Sequence, residues 1–216
     1  VNILLDNLDL FVDGFRTTLV LFIFSAVFAL LLGLVVAACR VSPVTPLRAL
    51  GTIYVNTVRN TPLTLILFFF AFGYPRLDLP GAGSYVVLAI IGLSLYTATY
   101  MAEAIRSGIN TVPVGQAEAA RAIGMPFSMT MIQVIMPQAL RAVVPPMMNV
   151  FIALLKNTTV AAGFSVAEAG AIRANLSERG EPAMGSMLWV IAGFVMLVLI
   201  LSGVQRWFEK KWSLTR

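Results

Sequence analysis

The sequence predicts an all-α integral membrane protein with five crossings, and three observations lead there. Only 12% of the residues are charged and 59% are hydrophobic, whereas a water-soluble domain carries about 25% charged residues. So few charges cannot cover a globular surface, so lipid must be the solvent for most of the chain. Apolar runs of spanning length recur along the sequence, and a crossing helix needs about 20 such residues. Finally, with one cysteine and no histidine there is neither a disulfide framework nor a metal-ligand spacing. Cys39 ends an apolar run and reads as a small core or lipid-facing residue. The formal charge of +5 is explained by basic cytoplasmic loops and calls for no nucleic acid partner.

The N-terminal stretch "VNILLDNLDLFVDG" has no basic n-region and carries Asp6, Asp9 and Asp13, so it does not read as a cleavable leader. It reads as an interfacial stretch whose apolar face is Leu4, Leu5, Leu8, Phe11 and Val12. The first span is expected over 17–38 and ends at "CRVSPVTPLR", a loop by its prolines and arginines. The second, 53–74, contains "VRNTP" and is apolar only in its later part. The third covers 85–104. The fourth, 142–157, stays apolar only to Leu155 before meeting "KNTT", and the fifth, 184–204, is followed by "QRWFEKKW". With no internal repeat, residues 1–216 form one domain.

Arg40 and Arg48 follow the first span, Arg106, Arg121 and Arg141 lie between the third and fourth, and Arg206, Lys210, Lys211 and Arg216 follow the fifth. The alternate side holds Arg16, Arg76, Arg173 and Arg179 among most of the acids. The positive-inside bias puts the N-terminus outside and the C-terminus in the cytoplasm, with Trp207 and Trp212 in an interfacial belt. The loop 107–140 is then cytoplasmic. Within it, Pro113 can open a helix, Gln116 to Ile123 continue it, and Gly124 suits a left-handed cap. A second helix is expected from Phe127 to Ile135, stopping before Pro137. Ala117, Ala119 and Ala120 make a small-residue stripe that another surface can approach closely. Glu118, near the N-terminal turn, either steadies the helix or pairs with a partner's cation.

An ionisable residue at mid-bilayer costs roughly 2.5–3.5 kcal/mol or more, so such residues are functional candidates. Arg59, Glu103 and Lys156 qualify, and each has a plainer alternative. Arg59 can snorkel to the interface, Glu103 can pair with Arg106 three residues on, and Lys156 can cap the fourth helix. "RNTP" and "KNTT" each set a cation beside Asn and Thr (Arg59, Asn60, Thr61; Lys156, Asn157, Thr158). Broken helices at membrane depth are tolerated where they line a cavity, and in transporters they present polar groups to substrate. Two cations with Asn and Thr donors suit carboxylates, and Glu103 suits an ammonium. An anionic or zwitterionic amino acid fits that set.

The spacing Glu118-Ala119-Ala120, three residues, Gly124, nine residues, Val134, one residue, Met136-Pro137 resembles the EAA signature of ABC-type importer permeases. Val134 and Met136 depart from the usual Ile and Leu, both volume-tolerant swaps. "YVNTVRNTPLTL", "YTATYMAEAIRSGINTVPVGQAEAARAIGM" and "LLKNTT" extend the likeness to the polar amino acid uptake branch, over 17–207. Asn60 and Asn157 stand where many members have Gly and Asp, as in the glutamate permease subunits of actinobacteria.

The resemblance implies a type I ABC importer transmembrane domain in a bacterial cell membrane. It also implies a second permease subunit, identical or similar, an extracytoplasmic substrate-binding protein, and an ATPase dimer docked on Glu118, Ala119, Ala120, Gly124 and Pro137. ATP and Mg would be bound by that ATPase. In keeping with this, the chain has no G-x-x-x-x-G-K-[ST] loop, so it is expected to be a transporter subunit with no cofactor of its own. The rivals are an ion-coupled secondary transporter, with Glu103 as the ion site, and an export or anchoring subunit.

Overall fold

A computed structural model describes residues 2–78 and 83–212, and every element in it is helical. Helix α1 (Asn2–Asp6) leads into α2 (Leu8–Val41), which starts well before the expected span. No proline interrupts its early turns, and its one early glycine, Gly14, lies where a Cβ would come 2.9 Å from Ile172. The N-terminal apolar face is divided: Phe11 is buried with Ile172 and Leu176, with Leu4 packed against them, while Leu5, Leu8 and Val12 stay exposed.

The second expected span is two helices, α3 (Thr45–Arg59) and α4 (Leu63–Phe68), the latter prolonged by a π turn (Phe69–Gly73) and a 3-10 turn (Tyr74–Leu77). The chain bends by 95° between them. Pro62 cannot donate to the ladder, so the Val58 carbonyl accepts the Thr61 N–H at 3.2 Å instead, and side chains meet the two carbonyls before it. Asn60 Nδ2 donates to the Asn56 carbonyl at 2.7 Å and Thr61 Oγ1 to the Thr57 carbonyl at 2.9 Å.

Helix α5 (Tyr85–Asn110) is the central post, packed against α2, α3 and α4 and against the later helix Met136–Asn157. Apolar burial does not drive helix association in lipid; close backbone approach at small residues does. A Cβ on Gly33 of α2 would sit 2.7 Å from Met101 Cβ, and one on Gly108 of α5 would sit 2.7 Å from Val143 Cα. The core runs along these seams, with Leu21, Leu67, Leu93 and Leu154 in one cluster and Val55, Met101, Ala102 and Ile105 in the next.

Helix α6 (Val114–Ala122) and the short α7 (Phe127–Met129) follow. The helix expected to stop before Pro137 instead continues through a π turn (Thr130–Ile135) into α8 (Met136–Asn157) and a 3-10 stretch (Thr158–Phe164). A proline ring clashes with the carbonyl four residues back. The wider turn relieves that clash, the Met136 N–H bonding the Met131 carbonyl, while Gln138 Nε2 donates to the Val134 carbonyl at 2.8 Å. The fourth apolar segment is therefore a 38-residue helical unit, Phe127–Phe164, rather than a short one.

A 3-10 turn (Ala169–Ala171) and α9 (Ile172–Glu178) precede α10 (Ala183–Trp212). Among the described residues four helices are long and apolar enough to cross a membrane, or five counting the bent pair. Trp207 is exposed beneath the Lys211 ammonium, 4.9 Å from its ring centroid. The Trp212 side chain and Arg216 lie outside the described residues.

Candidate functional site

The bend at Asn60–Pro62 delivers the end of α3 to the middle of α5. Arg59 is exposed, and its guanidinium carbon lies 5.1 Å from the Tyr100 ring centroid, within cation–π range. Tyr100 and Tyr96, one turn apart on α5, share a hydrogen bond of 2.9 Å between their hydroxyls. Both rings line a cavity of about 360 Å³ with Thr97, Asn149 and Asn157. Tyr54 holds α3 against this wall by donating to the Leu95 carbonyl at 2.7 Å. Arg59 and Asn157, far apart in sequence, are thus brought to the same tyrosine, Arg59 over the Tyr100 ring and Asn157 in the recess that Tyr100 lines. A larger groove between α2 and α5, lined by Phe24, Phe28, Val35 and Ile90, offers little that could orient a zwitterion.

Lys156 is exposed in the last turn of α8. The capping role open to it is filled otherwise: Thr158 Oγ1 donates to the Leu155 carbonyl at 2.8 Å and Thr159 Oγ1 to the Lys156 carbonyl at 2.7 Å. Among the described residues the Lys156 ammonium has no ion-pair partner. Thr158 is buried, its hydroxyl spent on the backbone.

Glu103 is not brought to the recess. Its carboxylate pairs with Arg106 at 3.0 Å, the neighbour open to it from the sequence, and also with Arg40 at the end of α2. Arg40 lies 63 positions away in sequence, so spacing alone could not reveal it. The carboxylate therefore ties α2 to α5. Sequence reasoning also passed over Tyr96, Tyr100 and Asn149, although the i, i+4 spacing of the tyrosines puts them on one helix face.

The loop between α5 and α8 folds as a helical hairpin. Gly124 has φ of 82°, its N–H bonds the Arg121 carbonyl at 2.9 Å, and the Met125 N–H bonds the Ala120 carbonyl at 3.1 Å. This paired closure is the Schellman ending that glycine favours. Pro113 stands just before α6 rather than inside it, and the first turn of α6 carries no acid. Glu118 is thus in the second turn, where the dipole contributes little. Its side chain is exposed, as is that of Ala119, while Ala120 is buried against the hairpin. Val114, Ile123 and Phe127 are 74%, 79% and 69% exposed, large apolar side chains left uncovered at the two ends of α6 and just beyond the turn. Pro137 lies behind the hairpin, in the first turn of α8.

Residues 29–214 match the family model described as the binding-protein-dependent transport system inner membrane component. The chain belongs to that family. Its members are permease subunits, not enzymes, and the ATPase is a separate subunit. The chain is 45% identical over 197 residues to the glutamate transport system permease protein GluC of Corynebacterium glutamicum, covering 86% of each. It is 43% identical over 164 residues to the probable glutamine ABC transporter permease protein GlnM of Bacillus subtilis, covering 74% of this chain and 73% of the relative. Among solved structures, an amino acid ABC transporter crystallised with histidines superposes with a TM-score of 0.89 at 26% identity, over 96% of each chain.

Proposed function

We propose that this permease subunit passes glutamate, or a closely similar acidic or zwitterionic amino acid, along the recess beside α5. One observation carries the choice of substrate: a permanent cation, Arg59, stands over Tyr100, which lines a recess together with Asn149 and Asn157 and with no carboxylate among its lining residues. A substrate carboxylate would meet Arg59 and Lys156, and Asn60, Thr61 and Thr158 would steady the broken backbone around it. Glu103, held by two arginines, acts as a tie between helices rather than as the ammonium site. The names of the relatives GluC and GlnM support the same substrate class.

The exposed turn around Glu118, Ala119 and Gly124 seats on an ATPase pair that binds ATP and Mg. A second permease, the same chain or a similar one, completes the path, and an extracytoplasmic binding protein delivers the amino acid. Nucleotide-driven closure of the ATPases moves the hairpins together and opens the helices outward, so that the ligand biases one of two states. The test is reconstitution in vesicles. Uptake of labelled glutamate should need ATP, the ATPase and the binding protein together, and uptake driven by an ion gradient alone would overturn the reading.

The basic loops support an orientation with the hairpin in the cytoplasm of a bacterial cell and the N-terminus outside. Gly115 and Gly83 are both exposed, with nothing within 4 Å of an added Cβ, so cysteines there should be tolerated. In intact cells an impermeant thiol reagent should label Gly83→Cys and spare Gly115→Cys. The opposite pattern would reverse the topology.

A further inference from the structure

Glu168 lies away from both the recess and the hairpin, yet its side chain is fully buried. It precedes the 3-10 turn Ala169–Ala171 in the connection from α8 to α10, and its Oε1 accepts the Gly170 N–H at 2.7 Å. Its Oε2 lies 3.0 Å from Thr18 Oγ1 on α2. The Thr18 oxygen also accepts the Ala169 N–H at 3.1 Å and stands 3.1 Å from the Gly14 carbonyl.

A hydroxyl has one proton and two lone pairs. If Glu168 is neutral, its O–H donates to Thr18, Thr18 donates to Gly14, and every group is satisfied. If Glu168 is ionised, the single Thr18 proton must be shared between the carboxylate and Gly14. A buried carboxylate would then rest on two donors and no cation, which is costly. The charged residues on the surrounding elements are Asp9, Asp13 and Arg16 of α2 and Arg173 and Glu178 of α9, with Arg179 and Glu181 just beyond. The 3-10 stretch Thr158–Phe164 has none. All but the half-buried Glu181 are exposed, and among the described residues none pairs with Glu168. On the α2 side the packing is close, a Cβ on Gly14 lying 3.3 Å from Ala169 Cα.

We propose that Glu168 is a proton-operated clasp: as the neutral acid it donates to Thr18 and locks the α8–α10 connection onto α2, and as the carboxylate it drives the two apart. Burial pushes its carboxyl up to about 7 from an ordinary 4.5. An acid raised in the folded state contributes stability that is complete below its ordinary range and is lost as pH rises through the raised value. In the orientation proposed above, and only there, the clasp reads the acidity outside the cell.

The test uses the full chain, purified with its ATPase in lipid nanodiscs. Infrared difference spectra between about pH 5 and about pH 9 should show loss of a buried carboxylic-acid carbonyl band, with a parallel fall in Tm. Glu168→Gln keeps a donor for Thr18 and an acceptor for Gly170, so the band should vanish at every pH and Tm should become flat across the range. Thr18→Val removes the oxygen that accepts the neutral acid's proton, so the midpoint of the band should move downward. An identical band or Tm slope in Glu168→Gln, or an unmoved or raised midpoint in Thr18→Val, overturns the clasp.

Discussion

Lys156→Met, assembled with its ATPase and binding protein, should still hydrolyse ATP and should lose most glutamate uptake. Folding is not at stake, because Lys156 is exposed and the nearby carbonyls are held by the Thr158 and Thr159 hydroxyls. Methionine keeps most of the apolar length and deletes only the charge. A charge-assisted hydrogen bond contributes about 1.5–3 kcal/mol, which corresponds to about tenfold to a hundredfold in transport if it forms only along the path. Asn157→Asp is the counterpart with opposite sign. It sets a carboxylate into the recess beside Tyr96, Tyr100 and Asn149, where it should repel glutamate and improve competition by a cationic amino acid. Labelled uptake with arginine as competitor measures both effects. Unchanged uptake in the two variants would remove Lys156 and Asn157 from the path.

The polar landmarks were legible because each depends on a local rule. Pro62 after "RNT" announces a lost ladder bond wherever it falls, and a glycine closing an alanine-rich helix announces a left-handed cap. Glu103 with Arg106 is likewise a neighbour pair on one helix face. What sequence could not supply is whatever depends on a distant partner. Arg40 reaches Glu103 only because close contact at Gly33 and Met101 brings α2 against α5. Glu168 sits in what reads as an ordinary loop, and only the position of Thr18 makes it a buried acid. The passage through Pro137 failed for a different reason. Proline was rightly read as a clash, but a π turn absorbs the clash without a break, and no residue pattern marks one in advance.

Gly124→Val should leave a folded membrane protein that no longer couples to its ATPase. The backbone at Gly124 has φ of 82°, a region that costs an L-residue roughly 1–2 kcal/mol and a β-branched one the most. An added Cβ meets nothing within 4 Å, so the cost is conformational rather than steric. The chain can escape it by unwinding the last turn of α6, where Ala120 and Arg121 carbonyls receive the closing bonds. That movement displaces Ile123 and Phe127, the exposed apolar residues on either side of the turn. Gly124 itself meets no neighbour within 4 Å of an added Cβ, so expression and membrane insertion should be normal, while co-purification of the ATPase and its stimulation by loaded binding protein should fall sharply. Gly124→Asn is the control, since asparagine enters the left-handed region at lower cost and should retain most coupling. Loss in Val with retention in Asn would assign the effect to backbone conformation at the contact. Full transport by the Val variant would show that the ATPase does not read this hairpin.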